Sequence, residues 1–168
     1  MNPIRIDTDL EFLDPSRVER LDLYRSVEGS LPAPVVIFLH GGAFYRGDKA
    51  SDRSQTLCAL FAQSGFAALG VNYRLSPGSR GDKRWAAWPT NLMDAATALR
   101  FVDKDAESLG LDPTRIAVAG TSAGATLALL LAFGAADSIS GEPISSRIGA
   151  VVNFYGRVDW NRHTVPEK

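Results

Sequence analysis

Cysteine is almost missing from this chain: Cys58 is the only one in 168 residues. An internal disulfide is therefore impossible. A lone cysteine beside two histidines, His40 and His163, gives no zinc-ligand set, and neither a metal nor a cofactor is expected. Charge of one sign is also lacking, with 18 basic against 19 acidic side chains and a net charge of −1. That balance excludes the basic footprint of a nucleic-acid or acidic-membrane binder, and the small cluster Arg80, Lys83, Arg84 reads as a solvated loop. Long apolar runs are absent too. The longest, over 123–136, is too short to span a bilayer and contains Thr126 and Gly134. The first nine residues carry early acids and no apolar segment, so they do not form a signal peptide, and the expected location is the cytoplasm. No repeat, low-complexity tract or linker interrupts the chain, and 1–168 is read as a single domain. No Gly-x-Gly-x-x-Gly follows a strand, which argues against a nucleotide-binding module.

What is present is an alternation of short apolar runs with helical patterns. Ile4 and Ile6, then 21–24, alternate apolar with polar residues as strands do. Five apolar residues at 35–39 read as a central strand covered on both faces. Further strands are expected at 66–71, 116–119 and Ile148–Phe154. Helices are expected at 51–64, 91–109 and 123–136, with Gly65 and Gly110 as C-terminal stops. Cys58 falls within the first helix as an inert packed thiol. Residues 76–84 and 137–147 read as polar loops. Trp85 and Trp88 are read as packing their loop on the body in preference to lining a cleft. Strands alternating with helices imply a mostly parallel sheet with right-handed crossovers and a ligand site beyond the carboxyl ends of the strands.

Two motifs sit at such strand ends. Gly120-Thr-Ser-Ala-Gly124 is a Gly-x-Ser-x-Gly pattern between a strand and a helix, the context in which a serine is raised on a sharp turn with its hydroxyl exposed. The helix beyond it offers its N-terminal dipole and free amides to developing negative charge. His40-Gly41-Gly42-Ala43-Phe44 follows the 35–39 strand, and its glycines let the backbone approach a ligand. Ala43 stands where esterase loops usually carry a third glycine; its amide serves as a donor provided its φ is negative. The bland alternatives are a helix-capping Ser122 and a plain glycine turn at 41–42.

Taken with Tyr73-Arg-Leu75, Trp88-Pro89, Asp112-Pro-x-Arg-Ile116 and Phe154-Tyr-Gly156, these motifs resemble the N-terminal two-thirds of an α/β-hydrolase of the carboxylesterase type. The likeness is to hormone-sensitive-lipase relatives and to the acetyl-xylan/feruloyl-esterase-like group. The resemblance implies a three-layer α/β/α fold lacking its last strands and a C-terminally incomplete domain. It implies Ser122 as nucleophile, an acyl-enzyme, and an oxyanion hole from the backbone of Gly41, Gly42, Ala43 and Ala123. His40 would brace the loop without acting as the base. The implied partner is a small-molecule ester, with an amide as the close variant and no nucleic acid or membrane.

In this fold the chain order is serine, acid, histidine, and the family's acid and base follow two further strands. After Ser122 the acids are Asp137, Glu142, Asp159 and Glu167 and the histidine is His163; Ser122, Asp159 and His163 have the right order, but residues four apart are poorly placed for it. The alternative to an esterase is therefore a catalytically inert fragment or half of a two-chain hydrolase. As an edge strand, Ile148–Phe154 is expected to pair with another chain.

Overall fold

A strand buried on both faces must be apolar at every position. In the computed structural model, which describes residues 2–80, 83 and 85–159, the apolar stretch 35–39 forms most of β3 (Ala33–Leu39). Around it lie β1 (Ile4–Leu10), β2 (Leu21–Ser26), β4 (Ala67–Val71), β5 (Leu111–Thr121) and β6 (Ile148–Phe154), in the order β1-β2-β4-β3-β5-β6. β1 and β2, and β2 and β4, run antiparallel; the remaining pairs are parallel. The helices are α1 (Asp52–Gln63), α2 (Thr90–Leu109), α3 (Ala123–Ala132) and α4 (Ala135–Ser140). No described helix is long and apolar enough to cross a membrane.

The period of two in β3 divides the core. Val35, Ile37 and Leu39 face one cluster with Leu92, Leu99 and Val102 of α2 and Leu127 and Leu131 of α3. Val36 and Phe38 face the other, with Cys58 and Ala62 of α1. Helices therefore cover both faces of the sheet. Cys58 is fully buried, and burial pushes its thiol up to about 12, so it is inert at neutral pH.

Register fixes where the site lies. Leu39 of β3 pairs with Gly120 of β5, so the segments that follow β3 at His40 and β5 at Ser122 leave the sheet side by side. Among the described residues, β6 pairs only with β5 and forms the edge of the sheet.

Three local readings differ from the structure. The helix expected over 123–136 breaks at Gly134, whose left-handed φ of 80° ends α3 and lets α4 start in a new direction. The expected loop 137–147 contains most of α4 and a short 3-10 turn, Ser145–Arg147. Asp137 holds that turn by accepting hydrogen bonds from the Ser145 amide at 2.9 Å and hydroxyl at 2.6 Å. β5 begins at Leu111, ahead of the strand expected at 116–119, because Leu111 and Asp112 pair with Ala33 and Pro34 before the register shifts.

A polar cluster ties the segment before β2 to α2. Asp94, 3% exposed on α2, accepts two hydrogen bonds from the Arg17 guanidinium at 3.0 and 2.6 Å and one from the Arg74 amide at 2.8 Å. Glu19 is paired with Arg17 at 2.9 Å and Arg74 at 2.7 Å. Burial alone would raise the Glu19 carboxyl, but the two guanidinium groups outweigh it and hold the pKa at about 2. A carboxyl lowered in the folded state stabilises fully above its unfolded value, roughly 4.3, and that contribution is lost as pH falls towards 2. Urea titrations at about pH 5 and about pH 2.5 are expected to show wild type losing more stability over this interval than Glu19→Gln. Equal losses would contradict the pairing.

Candidate active site

Ser122 sits at the junction of β5 and α3 with φ 49° and ψ −115°. A non-glycine residue there stores backbone strain of about 1–3 kcal/mol and persists only when its surroundings enforce it. They do so from both sides: the Ser122 amide donates to the Phe154 carbonyl at 2.9 Å, and its carbonyl accepts from the Thr126 amide at 3.1 Å. The two flanking glycines are required by contact. A Cβ on Gly120 would stand 2.5 Å from the Gly124 carbonyl carbon, and one on Gly124 only 2.1 Å from the Leu39 oxygen. Ser122 is partly exposed, whereas Ala123, the first residue of α3, is buried.

The facing loop meets this turn directly. A Cβ on Gly41 would lie 3.4 Å from the Cβ of Ser122 and 3.0 Å from the Thr121 carbonyl oxygen. The 41–43 backbone and Ser122 thus share one rim, as the strand-end pattern in the sequence leads one to expect. Gly42, at φ 135°, presses so closely on the Arg46 carbonyl that no side chain fits. Ala43 differs from the expectation attached to it. Its φ is 52°, followed by Phe44 at 67°, so the negative φ set as the condition for its donor role is not met. These two left-handed residues close a turn in which the Tyr45 and Arg46 amides donate to the Gly42 oxygen at 3.2 and 3.1 Å. Among the described residues, the amides of Gly42, Ala43 and Ala123 meet no protein acceptor.

His40 lies beneath the loop, 2% exposed. Its Nδ1 is 2.8 Å from the Gly41 oxygen; since a carbonyl only accepts, Nδ1 carries the proton. Burial lowers the imidazole pKa, with the Gly41 contact and Asp48 partly opposing, so the ring is neutral at pH 7. Its Nε2 is buried with no protein partner among the described residues. Tyr73 stacks on the imidazole, with ring centroids 4.4 Å apart and planes 14° apart, and donates its hydroxyl to the His40 carbonyl at 2.7 Å.

Beside the loop, Phe44, Trp85, Trp88, Asn91, Leu127 and Leu130 enclose an apolar cavity of about 310 Å³. Its wall is anchored by Ser76, which donates its amide to the Phe44 carbonyl at 2.7 Å and accepts from the Ala87 amide at 3.1 Å. Trp85 and Trp88 stay 47% and 43% exposed. They line this cavity, whereas the sequence favoured packing on the body.

Two acids later in the chain are engaged elsewhere. Asp137 is engaged by Ser145 and Glu142 by Arg100. Asp159 is exposed on the segment after β6, and His163 lies outside the described residues. Sequence reasoning missed Tyr73 as a neighbour of His40 and Thr126 as the hydroxyl that accepts from the Arg157 amide at 3.1 Å. Tyr73 stood within the quoted Tyr73-Arg-Leu75 motif, and the signal for Thr126 was its closeness to Gly120–Gly124. Among the described residues, no cluster of His, Cys, Asp and Glu is suited to a metal.

Residues 21–167 match the model of the BD-FAE family. The chain is 35% identical over 160 residues to Esterase LipC of Mycobacterium tuberculosis, covering 92% of this chain and 37% of that protein. It is 38% identical over 113 residues to an ethyl acetate hydrolase of Pseudomonas putida, covering 66% and 33%. Among solved structures, the carboxylesterase EstE1 from a metagenomic library superposes with a TM-score of 0.72 at 31% identity, covering 95% of this chain and 49% of that one. A bacterial heroin esterase superposes with a TM-score of 0.64 at 32% identity, covering 81% and 40%. The chain spans about a third of the length of the curated relatives it matches, 37% and 36% for the first two.

The close approaches at the rim separate two kinds of glycine. Gly65 has φ 91° but open space around it, so Gly65→Ala is expected to cost about 1–2 kcal/mol of backbone strain. Gly124→Ala must push the start of α3 off β3 and is expected to cost about 3 kcal/mol or more. Urea denaturation of both variants checks this, and equal losses would contradict the packing described.

Proposed function

The chain belongs to the BD-FAE family and has the α/β-hydrolase fold, and from that premise we propose that it carries the nucleophile and oxyanion hole of a serine carboxylic-ester hydrolase. A general base takes the hydroxyl proton as the Ser122 Oγ attacks the ester carbonyl carbon, a C–O bond forms, and the carbonyl oxygen becomes an oxyanion. The amides of Ala123 and Gly42 hold that charge, with the Gly41 backbone beside them; Ala43, at a positive φ, is not counted among the donors. One such donor lowers the barrier by on the order of 3–4 kcal/mol. The alcohol then leaves with a proton, and water releases the acyl group from Ser122. The observation that carries this reading is the approach of Gly41 to Ser122, within 3.4 Å of its Cβ for a built side chain. The apolar cavity beside the loop favours esters with an apolar group on one side of the scissile bond.

The general base is not His40. That imidazole is buried, its Nδ1 proton is held by Gly41, and its place under the loop braces the backbone. This favours one second reading: no base meets Ser122 among the described residues, so Ser122 stays a weak nucleophile and the chain is inert. Removing a triad member leaves only a residual rate from the oxyanion hole and binding. The proposal extends to β6, whose free edge pairs with a further strand, from another chain if the active unit has two.

A fluorophosphonate probe decides between the two readings. Stoichiometric phosphonylation of Ser122, abolished in Ser122→Ala and accompanied by turnover of p-nitrophenyl acetate, is the expected result. No labelling of a folded chain would favour the inert reading.

A further inference from the structure

The oxyanion loop has to present the Gly42 amide in one fixed direction, and the direction of an amide is set by its peptide plane. The Gly41 carbonyl and the Gly42 N–H belong to the same plane. The His40 Nδ1 proton pins that carbonyl at 2.8 Å and so turns the Gly42 N–H the opposite way. The preceding plane, carrying the His40 carbonyl and the Gly41 N–H, is pinned by the Tyr73 hydroxyl at 2.7 Å. The same tyrosine stacks on the imidazole that holds the second plane. We propose that Tyr73 is the positioning residue of the oxyanion hole: its hydroxyl fixes one peptide plane of the loop and its ring, through His40, fixes the next.

The surroundings make Tyr73 a rigid reference. It is 1% exposed, and burial pushes its phenol well above the ordinary tyrosine range, so it remains a donor at every working pH. Its neighbours in sequence are tied as well. Asn72 accepts from the Lys49 amide at 2.7 Å and donates its own amide to the Arg20 carbonyl at 3.0 Å. The Arg74 amide donates to Asp94 at 2.8 Å. The His40 carbonyl that Tyr73 holds is also an oxygen against which Gly124 packs, 2.4 Å from where a Cβ would stand. One atom therefore sets the loop relative to the helix that begins at Ala123. Tyr73 touches no reacting atom, and its effect passes through His40 and the backbone.

This rests on the oxyanion hole proposed above, and the test keeps the two apart. Tyr73→Phe keeps the ring and removes the hydroxyl. It is expected to lower kcat on p-nitrophenyl acetate about 10-fold, less than the roughly 100-fold loss of a donor itself, with KM within about 2-fold. The Gly41 and Gly42 amide resonances of the 15N-labelled chain are expected to move while the rest of the spectrum stays. Full kcat in the variant, or lost kcat with both amides unmoved, would overturn the proposal. Should Tyr73→Phe not fold, 3-fluorotyrosine placed at position 73 alone by nonsense suppression makes that phenol a stronger donor and leaves Tyr24, Tyr45 and Tyr155 unchanged. The same two amides must then shift, and unmoved amides overturn the positioning role. Should wild type show no Ser122-dependent turnover, the esterase reading fails, while the amide shifts still decide the role of Tyr73.

Discussion

Gly124 brings the first turn of α3 into van der Waals contact with the end of β3, where a methyl group would stand 2.1 Å from the Leu39 oxygen and 2.4 Å from the His40 oxygen. The rest of the rim follows from that approach. Only with the helix so close does the chain have to turn at Ser122 through a φ of 49°, and only then does the Ala123 amide come beside the glycine loop. Gly120 supplies the matching space on the strand side. The strain at Ser122 is held by bonds at both ends of the residue, to Phe154 and from Thr126. The energy of a well-packed core is thus used to keep one hydroxyl in an otherwise unfavourable place.

The loop opposite is fixed at both of its ends by one short segment. Tyr73 holds His40 at the start of the loop, and Asn72 holds the Lys49 amide at its end. Lys49 itself is buried, paired with Asp22 at 2.6 Å and Asp9 at 2.8 Å. Such a buried pair does little for net stability, since desolvation offsets most of the attraction, but breaking it is costly. Its effect here is to allow one arrangement of residues 47–49. Arg74 continues the tie to Asp94 and, through it, to Arg17. The strand that precedes these three residues, β4, lies next to β3, so the support for the site comes from the neighbouring strand.

Much of this was legible in the chain itself. The five apolar residues at 35–39 and the glycine spacing around Ser122 are consequences of local crowding, and local crowding leaves its mark in local sequence. The alternation of strands and helices gave the layers for the same reason. What was not legible depends on residues far apart. Arg17 meets Asp94 across 77 positions, and nothing in either neighbourhood announces the other. Tyr73 and His40 are 33 apart, and their stacking needs the register of two strands. The positive φ of Ala43 was missed because alanine gives no sign of it; the close turn onto Gly42 imposes it. Trp85 and Trp88 were read as packing residues because large apolar side chains usually bury themselves, yet here they wall a cavity.

The proposed oxyanion hole requires the Ser122 hydroxyl and the amides of Gly42 and Ala123 to converge on a single point. A crystal structure of the chain with phenylboronic acid tests it most directly, because boron bonds to a serine oxygen and its own oxygens then mimic the tetrahedral oxyanion. The expected result is boron on the Ser122 Oγ with one boronate oxygen about 2.7–3.1 Å from both amides. A boronate on Ser122 whose oxygens point away from residues 42 and 123, or one bound elsewhere, would contradict it.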